Sequence, residues 1–188
     1  NTSPFDVEVV VDGKNSIEVE GDDNFVKEVE AVVENNTLVI RNKRRGSFHF
    51  SWKNRPTTVK ISAAKLVKLS NSGSGDIRVR GVTGDKFELR SEGPGDLMVS
   101  GSTGELDFRA SGSGDVNMRQ FCSKKVKVEM SGPGDVEMGE ITQSLDAMQS
   151  GSGELNVAKI NVEYVKVNLD GPGGMSLHGV TKSLEAQL

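Results

Sequence analysis

The feature that most constrains this chain of 188 residues is a short glycine phrase that recurs six times. The phrase reads Gly, Ser or Pro, Gly and then usually an acid, and its middle residue alternates between Ser and Pro. Successive copies begin 20, 19, 20, 19 and 20 residues apart. They start at Gly73, Gly93, Gly112, Gly132, Gly151 and Gly171. A repeat of this size is too small to bury its own apolar face, so the copies must stack on one another.

Each copy is followed by two runs in which apolar and polar residues alternate, which is the pattern of half-buried strands. In the first unit, Ile77 and Val79 form one run, and Phe87 and Leu89 form the other. No segment shows the 3.6-residue period of a helix, so we expect almost no helix. We predict an all-β protein with the fold of a right-handed single-stranded parallel β-helix, also called a β-solenoid. An antiparallel meander or sandwich is the alternative.

The length of one coil has two interpretations, because the distance from the first run to the second alternates between 10 and 9 residues. Either a coil has about 20 residues and alternates in shape, or it has 39 residues and four strands. In both cases we expect the glycines to supply the positive φ angles that sharp corners require.

Residues 1–70 lack the glycine phrase but keep alternating runs, such as Val7, Val9 and Val11. We interpret residues 1–70 as irregular strands that start and cap the solenoid, and residues 71–188 as the regular β-helix of the same continuous domain.

The single cysteine, Cys122, excludes an intrachain disulfide, and its place beside Phe121 predicts a buried, inert thiol. No apolar run approaches the ~20 residues of a transmembrane helix.

The best candidate site is a basic and aromatic segment in a chain whose net charge is −4. No acid occurs between Asn35 and Gly75, a stretch that holds nine lysines and arginines. The candidate ligand- or partner-binding residues are Arg41, Lys43, Arg44, Arg45, Phe48, Phe50 and Trp52. Arginine and aromatic side chains dominate binding hot spots, so this segment suits an anionic glycan, a lipid headgroup or a protein partner. The competing interpretation is a hairpin whose aromatic side chains cap the solenoid end.

A column of acids follows the glycine phrase, with one acid in each coil. Its members are Asp76, Asp96, Asp115, Asp135 and Glu154. Stacked strands lie ~4.8 Å apart, so these like charges need partners. They either bind calcium, which would make this a calcium-stabilised solenoid, or accept backbone N–H bonds within their own turns. We favour the turn interpretation because each coil supplies only one acid, and we expect no metal and no cofactor.

The sequence contains no recognisable catalytic set. Its two histidines, His49 and His178, lie far apart, and each Gly-x-Gly precedes a strand rather than a helix. We therefore expect a protein that is not an enzyme. A carbohydrate-active enzyme similar to the polysaccharide lyases, built on the same scaffold, is the alternative. The acidic body of the chain argues against nucleic acid as a partner.

Several segments are similar to those of a known family: the opening Pro4-Phe5-Asp6-Val7, the acidic turn around Gly21 and the serial Ser-Gly-Ser-Gly-Asp phrases. The chain resembles the auto-transporter adhesin family with a head GIN domain, which is related to the toast-rack envelope domains. This resemblance implies a β-helix exported to the bacterial cell envelope, in the periplasm, attached to the outer membrane or at the cell surface. Lipid anchoring is frequent in that family, but this chain has no lipobox cysteine.

The resemblance also implies an adhesin-like binding or structural module, with a glycan or a cell-surface protein as its partner. The open ends of a solenoid predict self-association through its ends or faces.

Overall fold

The regular part of the molecule consists of long strands, each of which contains both predicted runs of one repeat. In this computed structural model, which describes residues 1–43 and 57–188, these strands are 14 to 16 residues long. They are β7 (Ile77–Ser91), β8 (Leu97–Ala110), β9 (Val116–Met130), β10 (Val136–Gln149), β11 (Glu154–Leu169) and β12 (Gly174–Gln187). The glycine phrases form the turns between them, and the whole is an all-β solenoid of about six turns.

Every long strand pairs in parallel with the next long strand, which confirms the β-helix and excludes the antiparallel meander. Ile77 pairs with Leu97, and Leu97 pairs with Val116, which lie 20 and 19 residues further along the chain. One coil therefore has 19 or 20 residues, and the 39-residue coil is wrong.

The alternation in coil length is absorbed at the corner between the two runs. Between β7 and β8 the pairing register shifts by one residue between Val79 and Val82, and beyond this shift Phe87 pairs with Leu106. Related shifts occur at the same corner in the other pairings of long strands. Such a bulge inserts an extra residue without moving the strands on either side, so the interior positions stay aligned.

Several columns of apolar side chains from both runs fill the interior, and two of them, one from each run, illustrate the packing. The first contains Ile77, Leu97, Val116, Val136 and Leu155, and the second contains Phe87, Leu106, Val126, Leu145 and Val165. All ten are at most 3 % exposed. Each such side chain stabilises the fold by about 1.5–3 kcal/mol, so the stacked columns are the main source of stability.

The phrase glycines serve close stacking, and our expectation that they supply positive φ angles is wrong. All of them lie between residues 71 and 188, and none has a positive φ. A Cβ on Gly93 would lie 2.2 Å from the carbonyl oxygen of Gly73, and one on Gly112 would lie 2.1 Å from that of Gly93. Real Cβ atoms do not approach backbone oxygens so closely. Glycine is required because the preceding turn occupies the space of a side chain.

Most of the N-terminal strands extend the main sheet beyond β7. They are β1 (Asp6–Val11), β2 (Ser16–Glu20), β3 (Val29–Glu34), β4 (Thr37–Asn42), β5 (Thr58–Ala63) and β6 (Lys68–Asn71). β1 lies between β7 and β5 and is parallel to both, whereas β2 runs antiparallel along β5. β6 pairs with the second half of β7, and β3 and β4 form a separate hairpin. The one helix in the described residues is the four-residue α1 (Asp23–Val26), which agrees with the expected lack of helix.

The stacking role of glycine predicts the effect of adding a single methyl group. We expect Gly112→Ala to lower the free energy of unfolding by about 1–3 kcal/mol or more, because the new Cβ overlaps the backbone of the preceding turn. Gly174→Ala is the control, since nothing lies within 4 Å of its Cβ position and it should change stability by less than about 0.5 kcal/mol. Urea unfolding followed by circular dichroism measures both. Equal stabilities would contradict the stacking role.

Candidate functional site

The basic and aromatic segment is only partly within the described residues. Arg41 and Lys43 lie at the end of the β3–β4 hairpin. The other five predicted residues lie outside the described residues: Arg44, Arg45, Phe48, Phe50 and Trp52. The structure therefore locates the start of the predicted binding segment, at the N-terminal end of the solenoid.

The β3–β4 hairpin that carries this start is anchored at its base and exposed at its tip. Val29 and Ile40 are buried at the base, whereas Val33 at the tip is 73 % exposed. Asn35 and Asn36 turn the chain with φ angles of 48° and 61°. Positive angles at both central residues are typical of a type I′ turn, in which asparagine is favoured.

Arg41 is engaged with the acids of its own hairpin. Its Nε lies 2.5 Å from Glu30 Oε2, and its Nη1 lies 3.0 Å from Glu34 Oε1. The hydrogen bond to Glu30 and the charges of both carboxylates raise the pKa of Arg41. By contrast, Lys43 is exposed, and its backbone N–H donates to Glu28 O at 2.8 Å. Of these two predicted site residues, Arg41 already has ionic partners within the hairpin.

The column of acids forms a ladder of hydrogen bonds between turns, which we call the aspartate ladder. Oδ1 of Asp96 accepts a bond from the backbone N–H of Asp115 at 2.9 Å, and Oδ1 of Asp115 accepts one from Asp135 at 2.9 Å. The same bond joins Asp76 to Asp96 and Asp135 to Glu154. The expectation of bonds within each turn is wrong for the four aspartates, because each of their carboxylates accepts a bond from the following coil.

Asp6 is a ladder residue that the sequence analysis missed. Its Oδ1 accepts the backbone N–H of Asp76 at 3.1 Å, which extends the ladder from the repeats onto β1. Asp6 precedes Val7 just as Asp76 precedes Ile77, and Val7 pairs with Ile77. The shared order of an aspartate followed by a buried apolar residue is visible in the sequence, and it could have identified Asp6 as a member of the ladder.

Two shallow grooves run along the solenoid axis on either side of the glycine corners. The arginine groove has a volume of 460 Å³ and lies where the strands end. It is bordered by Arg90, Arg109, Glu129, Met148 and Asn168, with a row of serines between them and the corners.

The aspartate groove, of 390 Å³, lies where the strands begin. It is bordered by the aspartate ladder on one side and by Arg78, Met98, Asn117 and Glu137 on the other.

The outer surface formed by the second runs, which we call the charged face, carries ion pairs between coils. Lys68 reaches Glu88 at 3.0 Å, and Lys86 reaches Glu105 at 2.7 Å. Hydrogen bonds from these lysines lower the pKa of Glu88 and of Glu105. Lys127 has the same effect on the pKa of Glu129. Exposed pairs of this kind contribute little individually, but together they neutralise the face.

The described residues contain no group of three or more His, Cys, Asp or Glu side chains placed to hold a metal ion. His178 is exposed on β12. Cys122 is also exposed, so the expectation of a buried thiol is wrong. Its neighbour Phe121 takes the interior position instead and lies 6.0 Å from the ring of Phe87.

No helix within residues 1–43 and 57–188 is long and apolar enough to cross a membrane.

Comparison with known proteins identifies both a sequence family and similar folds. Residues 2–188 match the sequence model of the family described as "Putative auto-transporter adhesin, head GIN domain". No curated protein matches the chain.

Three crystal structures of bacterial proteins share the fold. A putative adhesin from Bacteroides fragilis is 20 % identical, with a TM-score of 0.64, and the match covers 97 % of this chain and 88 % of that one. A putative adhesin from Parabacteroides merdae is 16 % identical, with a TM-score of 0.66, and the match covers 100 % and 90 %. A putative lipid binding protein from Parabacteroides distasonis is 20 % identical, with a TM-score of 0.53, and the match covers 94 % and 90 %.

The aspartate ladder predicts different effects for two substitutions at one position. Asp115→Ala removes the acceptor for the N–H of Asp135 and should lower the free energy of unfolding by about 1 kcal/mol. Asp115→Asn keeps an acceptor oxygen and removes one of several like charges, so it should destabilise less or even stabilise. Thermal unfolding of both variants distinguishes the two effects. If Asp115→Asn destabilises as much as Asp115→Ala, the ladder bond is not what Asp115 contributes.

The charged face predicts a loss of stability in acid. The pKa values of Glu88, Glu105 and Glu129 are lowered by folding, so their contribution is complete above the unfolded pKa, near 4.3, and is lost as the pH falls through the folded pKa. The melting temperature should therefore hold between about pH 7 and 5 and fall below about pH 4. Glu129→Gln, which lacks one of these carboxylates, should show a smaller acid-induced fall. If the melting temperature of Glu129→Gln falls in acid as much as that of the unmodified protein, Glu129 does not contribute to the acid sensitivity.

Proposed function

This chain belongs to the "Putative auto-transporter adhesin, head GIN domain" family, and on that premise we propose that it is a non-enzymatic, adhesin-like binding module of the bacterial cell envelope. The observation that carries this proposal is the family match, which spans residues 2–188. The solenoid supports it, because stacked coils form an extended body whose surface is available for contact along its length. We propose that the protein is exported and acts in the periplasm, attached to the outer membrane or at the cell surface.

We propose that the partner-binding surface is the basic and aromatic segment that begins at the end of the β3–β4 hairpin. Its residues are Arg41, Lys43, Arg44, Arg45, Phe48, Phe50 and Trp52. Arg41 is held by Glu30 and Glu34 and so supports the start of the segment. The remaining basic and aromatic residues, Arg44, Arg45, Phe48, Phe50 and Trp52, follow in the sequence, and residues of these types suit a glycan or a cell-surface protein.

The experiment measures retention of the purified, fluorescently labelled protein on bacterial envelope fractions. We expect the double variant Arg44→Ala/Trp52→Ala to reduce retention by about tenfold or more, as the loss of hot-spot residues does. Lys124→Ala and Tyr164→Ala are matched controls, because they remove an exposed cation and an exposed aromatic ring elsewhere on the solenoid. Circular dichroism confirms that each variant folds.

Two outcomes would contradict the proposal. Retention that is unchanged in Arg44→Ala/Trp52→Ala would remove the segment as the binding surface. Turnover of acidic polysaccharides by the purified protein, abolished by a single Arg or His substitution, would replace the binding module by an enzyme.

A further inference from the structure

The arginine groove has the length of a polymer site. It crosses five successive strands, from Arg90 on β7 to Asn168 on β11. Because neighbouring strands lie ~4.8 Å apart, the groove is about 19 Å long. The groove's volume of 460 Å³ is therefore spread along the solenoid axis. This shape suits an extended chain better than a compact small molecule.

Hydroxyl groups recur along this groove at the same position of consecutive coils. Ser111, Ser131 and Ser150 each precede a glycine phrase, and all three line the groove. The backbone N–H of Ser111 donates to Ser91 O, and that of Ser131 donates to Ala110 O, both at 2.8 Å. Within the described residues, the hydroxyls of Ser111 and Ser131 make no side-chain hydrogen bond. Each is therefore a positioned donor and acceptor that is open to a ligand.

The opposite wall offers donors and acceptors side by side. Nε of Arg109 lies 3.2 Å from Oε2 of Glu129, and Arg90 binds Glu88 through Nη2 at 2.6 Å. A guanidinium has five N–H donors, so both arginines keep donors beyond these pairs. A sugar hydroxyl also both donates and accepts, so neighbouring hydroxyls of one sugar can bind the two members of an Arg–Glu pair. Met148, which is 38 % exposed, adds an apolar contact for the C–H groups of a sugar ring.

The charge of the arginine groove is nearly balanced, which selects against strongly charged polymers. Arg90 and Arg109 face three carboxylates, those of Glu92, Glu129 and Asp170. A polyanion would meet these carboxylates, and a polycation would meet the arginines. The aspartate groove differs, because the ladder and Glu137 outnumber its single arginine, Arg78. A neutral ligand that is rich in hydroxyl groups fits the arginine groove best.

We propose that the arginine groove binds a neutral, linear oligosaccharide that lies along the solenoid axis. Successive sugars contact the serine row on one side and the Arg109–Glu129 pair on the other. The inference rests on the proposed function, since it gives the binding module a class of ligand, but it uses a surface distinct from the segment between Arg41 and Trp52.

The experiment is isothermal titration calorimetry of the full chain with cellohexaose, mannohexaose and xylohexaose as neutral probes. Hexagalacturonate and spermine serve as the anionic and cationic probes. At least one neutral hexaose should bind, and Ser111→Arg and Ser131→Arg should each weaken it about tenfold, or 1.4 kcal/mol, by filling the groove. Ser113→Arg is the matched control. It adds the same side chain at an exposed position two residues from Ser111 that lines neither groove, and it should change affinity less than about twofold.

Each alternative result has a definite meaning. The proposal is overturned if no neutral hexaose binds, if hexagalacturonate or spermine binds more tightly, or if Ser113→Arg weakens binding as much as Ser111→Arg. Loss of hexaose binding in Arg44→Ala/Trp52→Ala but not in Ser111→Arg would overturn the groove and leave the proposed function intact. Hexaose binding that depends on Ser111, in a protein that is not retained on envelope fractions, would support the groove and contradict the proposed function.

Discussion

The close contact of successive backbones at the glycine corners is the constraint on which the rest of this structure depends. Carbonyl oxygens of one turn lie where the Cβ atoms of the next would be, as between Gly93 and Gly112. Any side chain there would push the turns apart and break the alignment of the strands that leave the corner. With glycine in place, the apolar side chains of both runs stack in continuous columns.

This arrangement separates an interior that is mostly apolar from an exterior that is polar and varied. Most interior positions carry apolar residues, with the buried Asn71, Ser91 and Gln149 as exceptions, whereas the exterior carries an aspartate ladder, ion pairs and two grooves with different charge. The glycine corners create the grooves, since they carry only small side chains while the strands on either side carry long ones. Recognition can therefore differ along the solenoid without a change in the core, which is why we place function on its surface.

Much of the fold was predictable because the same pattern of strands and turns recurs in every repeat. The alternating runs around Ile77 and Phe87 predicted strands, and the recurrence of the glycine phrase predicted that the coils stack. The errors share one origin. The roles of Gly112 and Asp115 were assigned within their own turns, whereas both residues act on the adjacent coil. The sequence does not show that Cys122 is exposed, because the bulged corner, which sets whether Phe121 or Cys122 points inward, is not visible in the alternation of residues. The grooves were missed because their residues, such as Arg109 and Glu129, are adjacent only across coils.

The sequence by itself determined the period, the strand content and the apolar columns, because these depend on the spacing of residue types along one chain segment. The tertiary structure alone decided the coil length, the partners of the ladder carboxylates and the composition of the grooves. These depend on which residue of one coil lies against which residue of the next. That register is set by backbone contact at the corners and by the bulges between runs, both of which involve residues about 20 positions apart. Local patterns do not contain this information, because it exists only once the coils are stacked.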